Sequence, residues 1–268
     1  MAVQEKVSGG DLALGAIFSY LSLKELGRCS CVCKQWERVI RNGGPRLWKP
    51  LVLELVPKRA QKSKTMKDCF QYLRIESSQA FRAMLRSFLN SWSPHDHSPN
   101  MRVTEDPYVM HREPVAQSSD LARTKYGFKD GQHSWMVRWP SSAGSEAVLG
   151  VALESARKQC SGYVGLLGEN KKGWGWHLGK GKLLHDGGLL GQYPLPGTKE
   201  APFSPSEVDW ITVNLDMDKG CLWFERNDKF LGMAFDNLPT SDPLYPAFSA
   251  VFGNTRVSLV YVGSPVLG

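Results

Sequence analysis

The sequence predicts an α+β chain of several domains: a small all-helical unit, a short helical linker and an all-β antiparallel sandwich. Apolar residues in the first hundred positions recur at helical spacing. After residue 100 their period changes from 3.6 to 2, and short strand-like segments alternate with Gly, Asn and Asp turns. No helical pattern separates these segments, so a parallel sheet with crossover helices is excluded. We place the three units at residues 8–50, 51–100 and 101–263.

Residues 8–50 predict three short helices. The first carries an apolar stripe at i, i+3, i+4 and i+7, formed by Leu14, Ile17, Phe18 and Leu21. Ser22 followed by Glu25 is a capping-box pattern that starts a second helix. A third segment carries Val32, Trp36, Val39 and Ile40 on one face, and the sequence NGGP at 42–45 ends it. So short a unit cannot close a large core, and we expect some apolar surface to face a partner.

One helix is predicted in residues 51–100. Its apolar face is formed by Phe81, Leu85, Phe88 and Trp92, and Ser78 is the expected cap. The following sequence, SPHDHSPN, contains two prolines and is expected to break regular structure at a domain boundary.

The formal net charge is +7, and five cations fall within the eleven residues of PKRAQKSKTMK. Such a run could bind nucleic acid or acidic lipid. We favour a solvated linker instead, because no aromatic residues are interleaved for base stacking. The expectation is therefore no nucleic-acid partner.

Three of the six cysteines, Cys29, Cys31 and Cys33, lie at alternate positions. A zinc site needs four ligands, and no second pair follows. Alternate residues of a helix also point about 200° apart, so the three thiols cannot converge on one metal ion. We therefore expect these side chains to be buried, reduced thiols. We predict no metal and no cofactor.

No apolar run approaches the roughly 20 residues that span a bilayer, and the first residues, MAVQEKVSGGD, lack the apolar core of a signal peptide. We expect no membrane insertion and a location in the cytosol or nucleus. Nucleophile-elbow, P-loop, zinc-protease and dinucleotide-binding motifs are also absent from the sequence, so nothing predicts a catalyst.

The stretch LGAIFSYLSLKELGRCSCVCKQWERVI, followed by LW, resembles an F-box. The family pattern runs Ile-Phe-x-Tyr-Leu, Leu-x-x-Leu, Val-Cys-Lys-x-Trp and Leu-Trp, and Cys33 is the cysteine of its third element. The resemblance implies binding to the Skp adaptor of cullin-type ubiquitin ligases. The expected adaptor-binding residues are Leu14, Ile17, Phe18, Leu21, Leu23, Leu26, Val32 and Trp36.

Residues 101–263 are similar to a SPRY domain. Five segments follow the family's order: REPVAQSSDLARTKYGFKDGQHSWMV, AVLGVAL, GYVGLLGENKKGWGWHL, VNLDMDKGCLWFE and LYPAFSAVFGNTRVSLVYVG. An F-box joined to a SPRY domain further resembles the F-box/SPRY synaptic proteins related to nematode FSN. That resemblance implies a ligase built with a PHR-type RING protein or a cullin scaffold, and a synaptic role.

SPRY domains of the similar SOCS-box group bind short extended peptides with loops at one end of the sandwich. Matched residue by residue, the implied peptide-binding positions are Arg112, Pro114, Ser145, Tyr163, Val251, Phe252 and Gly253. Two of them depart from that group's motif, Ser145 for threonine and Phe252 for tryptophan, so a different peptide preference is expected. The expected pocket has an aromatic floor and a cationic rim formed by Arg112.

Together these features predict a non-catalytic substrate receptor of a ubiquitin ligase. Two alternatives remain at this stage: a scaffold that binds peptides without any ligase, and an enzyme that acts through a cysteine or histidine.

Overall fold

The computed structural model describes residues 9–139, 144–195 and 209–264. Within these ranges the chain forms seven helices followed by fifteen strands, in agreement with the predicted class. We call residues 9–89 the helical unit and residues 92–263 the sandwich. The helices are α1 (Gly9–Phe18), α2 (Leu23–Ser30), α3 (Lys34–Arg41), α4 (Pro45–Leu55), α5 (Lys58–Gln61), α6 (Lys64–Tyr72) and α7 (Ser77–Leu89).

The sandwich contains two antiparallel sheets. Its strands are β1 (Trp92–His97), β2 (Met101–Val103), β3 (Val109–Arg112), β4 (Ser118–Thr124), β5 (Gln132–Arg138), β6 (Val148–Leu153), β7 (Gln159–Ser161), β8 (Gly173–His177), β9 (Lys182–His185), β10 (Gly188–Gln192), β11 (Ile211–Asp216), β12 (Cys221–Arg226), β13 (Lys229–Phe235), β14 (Leu244–Ala250) and β15 (Arg256–Gly263). Sheet A has the order β1-β4-β14-β6-β8-β9-β10, with β7 also paired to β4, and sheet B the order β13-β12-β11-β5-β15-β3-β2.

The main core lies between the two sheets. Trp135 and Val137 of β5 face Leu149 of β6 and Phe248 of β14 within one buried cluster. Asn227 and Asp228 form the turn that connects β12 to β13, and their φ angles are positive, at 49° and 63°. Two consecutive residues with positive φ give the tight hairpin connection whose twist matches its strands.

The three predicted helices of the first fifty residues are present, although Val32 lies in the α2–α3 connection rather than on α3. The Ser22 side chain accepts a hydrogen bond from the Glu25 N–H, and the Glu25 carboxylate accepts one from the Ser22 N–H, so the capping box starts α2. Gly44 caps α4, and Pro45 occupies its first turn, where a missing N–H costs no helical hydrogen bond. Phe18 packs edge-on against Trp36, with ring centroids 5.3 Å apart.

Residues 51–100, expected to be a short linker with one helix, contain more helical structure than predicted. Besides the single predicted helix they contain α5, α6 and the last five residues of α4. The basic run, expected to be a solvated linker, lies on α5 and α6, and the apolar side chains of Ala60 and Met66 are buried beneath its lysines. The predicted helix itself begins at Ser77, after an N-cap at Glu76 that makes no side-chain cap bond. Ser78 is therefore not the cap.

The proline-rich segment after α7 was expected to be irregular, but it forms β1, and Trp92 belongs to this strand rather than to the helix. β1 is an edge strand of sheet A. Proline is tolerated at a sheet edge, because the missing N–H need not pair with a second neighbour. The sandwich thus begins before residue 100.

The helical unit and the sandwich share a second core. Leu51, Val52 and Leu85 of the helical unit belong to the same buried cluster as Met136 of β5 and Val260 of β15. Both faces of these central strands are buried, because Trp135 and Leu259 point into the main core. The helices therefore act as a third layer on the outer face of sheet B.

Polar contacts fix the position of this third layer. The Ser87 hydroxyl donates to the carbonyl oxygen of Tyr261, at 2.6 Å, and the Tyr72 hydroxyl donates to Asp228, at 2.9 Å. The Arg138 guanidinium of β5 pairs with the Asp68 carboxylate of α6, at 3.6 Å. Directional contacts from α6 and α7 thus add to the shared apolar core.

Because the helical unit and the sandwich share the second core, we expect the whole chain to unfold in one cooperative transition. Leu85→Ala should lower the free energy of unfolding by about 2–5 kcal/mol, since the substitution leaves a cavity in the shared core. Urea denaturation followed by circular dichroism at helix- and sheet-sensitive wavelengths measures both effects.

Leu53→Ala is the matched control, because Leu53 lies on α4 but is exposed. Its effect should stay within about 0.5 kcal/mol. Two separate transitions, only one of which shifts in Leu85→Ala, would show that the shared core does not couple the units.

Candidate functional site

A cleft of about 350 Å³ lies at one end of the sandwich, and we call it the end cleft. Four loops meet there: the β3–β4 loop, the loop before β6, the loop after β7 and the β14–β15 loop. The end cleft is lined by Pro114, Val115, Ala116, Ser145, Tyr163, Val251, Phe252 and Gly253. Six of the seven peptide-binding positions expected from sequence are therefore brought together, although they come from distant parts of the chain.

The seventh position, Arg112, does not form a cationic rim. Its side chain is fully buried and pairs with the equally buried Asp120 at 2.8 Å. It also donates hydrogen bonds to the carbonyl oxygens of Glu113, Val115 and Ser118. A buried guanidinium needs such partners, and here they are the backbone of the β3–β4 loop. Arg112 thus holds one wall of the end cleft in shape from behind.

Tyr163 and Phe252 provide the aromatic surface of the end cleft. Their exposed fractions are 50% and 48%, so neither belongs to the sandwich core. The Tyr163 hydroxyl accepts a hydrogen bond from the N–H of Gln117, at 3.0 Å. This bond connects the loop after β7 to the β3–β4 loop and leaves the tyrosine ring available to a ligand.

Two glycines allow the loops to approach one another. A Cβ on Gly253 would lie 2.7 Å from the Cα of Pro114, and a Cβ on Gly144 would lie 2.5 Å from the Cβ of Phe252. Gly144 also has a φ of 78°. Since real Cβ atoms do not come so close to other atoms, only glycine permits this packing.

A buried polar cluster supports the loop that carries Ser145. Glu146 accepts hydrogen bonds from His177 Nε2, at 3.0 Å, and from Lys180 Nζ, at 2.8 Å. The N–H of Lys180 donates to His177 Nδ1, so His177 is neutral with its proton on Nε2. Burial lowers the pKa of His177. Burial alone would raise the pKa of Glu146, but hydrogen bonds from Lys180 and His177 outweigh it and leave that pKa below its usual range.

The end cleft itself carries no charge on its described lining residues. Its polar side-chain groups are the hydroxyls of Ser145 and Tyr163, and the rest of the lining is apolar or backbone. This arrangement suits an extended peptide with small, apolar or uncharged polar side chains.

The helical unit presents a second candidate surface. Ile17 is 60% exposed, Tyr20 89% and Val32 62%. They lie at the end of α1 and in the α1–α2 and α2–α3 connections. Large apolar side chains at such exposure are available to a protein partner.

Other residues expected to bind the adaptor are partly or fully covered. Leu14, Leu21, Leu23 and Trp36 are half-buried against the shared core. Phe18 and Leu26 are each 1% exposed and belong to that core. The sequence pattern was wrong about the last two as partner contacts, because three short helices need their largest apolar side chains to hold themselves together.

The cysteine prediction is corrected as well. Cys31 and Cys33 are exposed, because the α2–α3 connection is not helical and turns them outward, while Cys29 is half-buried. Among the described residues, no group of three or more His, Cys, Asp and Glu side chains could hold a metal ion.

The described helices include none that is both long and apolar enough to cross a membrane.

Comparisons with known proteins agree with this architecture. The F-box-like family model matches residues 13–54, and the SPRY domain model matches residues 132–261. The protein named F-box/SPRY domain-containing protein 1 of Drosophila mojavensis is 42% identical over 95% of this chain and 96% of its own length. Its namesake in Drosophila grimshawi is 43% identical over the same shares.

The chain belongs to the F-box/SPRY domain-containing protein family.

A solved structure supports the fold of the sandwich. The SPRY domain of human HERC1 is similar to this F-box/SPRY protein with a TM-score of 0.50 and 16% identity, covering 63% of this chain and 97% of that domain. The SPRY match by sequence begins at β5, whereas the sandwich of this protein also includes the four strands before it.

Sequence reasoning missed three surface residues of this F-box/SPRY protein. Val115 and Ala116 line the end cleft, and they directly follow Pro114, which was identified. Tyr20 lies in the turn after α1, within the Ile-Phe-x-Tyr-Leu pattern that also contains Ile17. Sequence proximity to identified positions could have found all three.

We expect Arg112→Ala to lower the free energy of unfolding by roughly 3–5 kcal/mol, because it leaves the buried Asp120 carboxylate without its cation. Arg157→Ala is the matched control, since Arg157 pairs with Glu169 at the surface and should contribute no more than about 1 kcal/mol. Urea denaturation near pH 7 compares the two variants. Equal stabilities would contradict the structural role of Arg112.

Proposed function

We propose that this protein is the non-catalytic substrate receptor of a ubiquitin ligase. F-box/SPRY proteins are typically non-catalytic substrate adaptors, and the F-box implies a Skp-type adaptor as partner. The observation that carries the proposal is the presence, in one chain, of exposed apolar residues on the F-box helices and of the uncharged end cleft on the SPRY sandwich. One surface serves the ligase and the other serves the target.

At the ligase end, the exposed side chains of Ile17, Tyr20 and Val32 are the proposed anchors for the adaptor. Burial of aromatic and aliphatic anchors contributes most of the energy of such interfaces. The half-buried Leu14, Leu21, Leu23 and Trp36 shape the surface around them, while Phe18 and Leu26 keep the helices together.

At the substrate end, the proposed ligand is a short extended segment of the target protein. Tyr163 and Phe252 would contact its side chains, and loop backbone groups near Gly253 would fix its register. The neutral lining favours uncharged side chains, in contrast to the acidic motif that a cationic rim would have selected.

The proposed mechanism is proximity. A receptor that holds a target lysine near a ubiquitin-charged enzyme raises the effective concentration of the two reactants without making a covalent bond itself. The shared core between the helical unit and the sandwich supports this role, because it keeps the adaptor surface and the end cleft at a constant separation.

The proposal extends to the assembly and its location. A PHR-type RING protein or a cullin scaffold would complete the ligase, in the cytoplasm and at the synapse, with the nucleus as a further compartment. Affinity capture from neuronal tissue, with the intact chain and with Ile17 and Tyr20 variants, identifies these companions by mass spectrometry. Recovery of the same proteins without the adaptor would instead favour a scaffold.

Ile17→Ala and Tyr20→Ala are each expected to weaken adaptor binding by about 1–4 kcal/mol, because they remove exposed anchors. Neither should change the urea midpoint, since neither side chain supports the core. Titration of the purified Skp adaptor by calorimetry measures the affinity.

The matched control is Leu53→Ala, an equally exposed apolar residue on α4. It should bind the adaptor like the unmodified chain. Unchanged affinity in both Ile17→Ala and Tyr20→Ala would remove this surface from the proposal.

Tyr163→Ala and Phe252→Ala should each cost roughly 2 kcal/mol or more in affinity for a captured substrate fragment, because aromatic anchors dominate such sites. Tyr163→Phe separates the ring from the hydroxyl, since it loses only the bond that the Gln117 N–H donates. Fluorescence anisotropy of a labelled fragment gives each affinity.

Phe230→Ala is the control for exposed aromatic area outside the end cleft, and it should bind the fragment normally. Adaptor binding should persist in all of these variants. Normal fragment binding by both alanine variants of the end cleft would place substrate recognition elsewhere on the sandwich.

A further inference from the structure

A pocket of about 160 Å³ lies where α7 meets β15, and it shares no lining residue with the end cleft. We call it the junction pocket. Gln79, Arg82, Ala83 and Arg86 line it from successive turns of α7, and Tyr261 lines it from β15. Two guanidinium groups and one amide therefore border a single concave space, and the described lining residues include no carboxylate.

Arg82 has no anionic partner among the residues that the structure describes. Within those residues its side chain makes no ion pair or hydrogen bond, and its guanidinium lies 5.8 Å from the centroid of the Trp48 ring in a cation–π contact. Half-buried arginines are normally paired with carboxylates or carbonyl groups. The Arg82 guanidinium is thus partly buried without the carboxylate or carbonyl partner that normally offsets its loss of hydration.

The surroundings of Arg82 are also positive. Arg86 lies four residues later on the same helix, a spacing at which like charges repel, and Arg41 of α3 adds to the repulsion. Burial together with these two arginines lowers the pKa of Arg82 to about 10. The helical unit as a whole contains 15 Lys and Arg residues but only six Asp and Glu. Its acidic residues are therefore too few to neutralise the positive charge around Arg82.

Arg86 is held in place by a chain of hydrogen bonds. Its Nη2 donates to the Tyr261 hydroxyl, at 3.0 Å, and that hydroxyl also contacts His133 Nδ1, at 3.0 Å. His133 Nε2 lies 2.7 Å from the Asp130 carbonyl oxygen, which can only accept, so Nε2 carries the proton and Nδ1 accepts from Tyr261. Within the described ranges, the remaining N–H donors of the Arg86 side chain have no hydrogen-bond partner and are available to a ligand.

We propose that the junction pocket binds a phosphate group. The group would be supplied either as free inorganic phosphate or as a phosphorylated side chain, and both sources share the same phosphoryl chemistry. Arginine forks bind phosphate oxygens in pairs, and the Gln79 amide adds a further donor. The volume has room for one tetrahedral anion, which displaces several waters.

A phosphate fits the charge better than a carboxylate does. A phosphate monoester carries about −1.5 to −2 charges at neutral pH, which matches two guanidinium groups, whereas one carboxylate neutralises only one of them. The pocket also joins α7 to β15, the two elements that connect the helical unit with the sandwich. A bound anion therefore stabilises the junction between the two proposed partner surfaces.

The test is the thermal midpoint of the intact chain in phosphate and in chloride at equal ionic strength and pH. Phosphate should raise the midpoint in a saturable manner, because it binds the folded state alone. Arg82→Gln should lose at least tenfold in phosphate affinity by calorimetry. In phosphate-free buffer the same variant should be as stable as the unmodified chain or more so, since a repelled charge has been removed.

Two further variants control the result. Arg59→Gln removes an exposed charge of the helical unit and should leave phosphate binding unchanged, while Arg82→Lys should retain part of it. Equal midpoints in phosphate and chloride would overturn the proposal, as would equal losses in Arg59→Gln and Arg82→Gln.

The two sources are distinguished by a second probe, the capped tripeptide Gly-phosphoserine-Gly, titrated beside inorganic phosphate. Tighter binding of the tripeptide identifies a phosphorylated protein segment as the ligand, and equal or weaker binding identifies the free ion. Binding of neither probe overturns the proposal.

Discussion

The architecture depends on the apolar contact between the helical unit and the outer face of sheet B. Met136, Trp210 and Val260 project from that face into the same buried cluster as Leu51 and Leu85 of the helices. Without the helices these side chains would be exposed to water, and without the sheet the short helices would lack a core. Each half therefore supplies the apolar surface that the other must bury.

This contact explains which parts of the fold the sequence could predict. Period-2 alternation identified β5, and Trp135 and Val137 do face the main core. The same alternation places Met136 on the opposite side of the strand, and helices cover that side. Alternation distinguishes two faces and does not say what covers the second one. The segment of α5 and α6 was interpreted as a linker because it contains many lysines. Its buried apolar side chains, which include Ala60 and Met66, are too few to give a clear apolar pattern.

The family resemblance identified most of the end cleft but not the role of each residue. It identified six lining residues on four loops that are distant in sequence. Hydrophobic periodicity could not have identified them, because loops have no regular repeat. The resemblance could not distinguish a residue that touches a ligand from one that supports the loop behind it. Arg112 is of the second kind, because its guanidinium binds Asp120 and three loop carbonyls. The sequence alone does not show whether an arginine before a loop contacts a ligand or supports the loop. The burial of its side chain in the structure distinguishes the two roles.

The third layer also determines how the two proposed binding surfaces relate. A flexible linker would let the end cleft sample a large volume around the adaptor, and the effective concentration of a bound target would fall as that volume grows. Here α6 and α7 are packed on β15 of sheet B, and Ser87 and Tyr72 bond directly to the sandwich. The separation between Tyr20 and the end cleft is therefore set by packing rather than by chain entropy. A change at the junction of α7 and β15 would alter the presentation of a target without touching either binding surface.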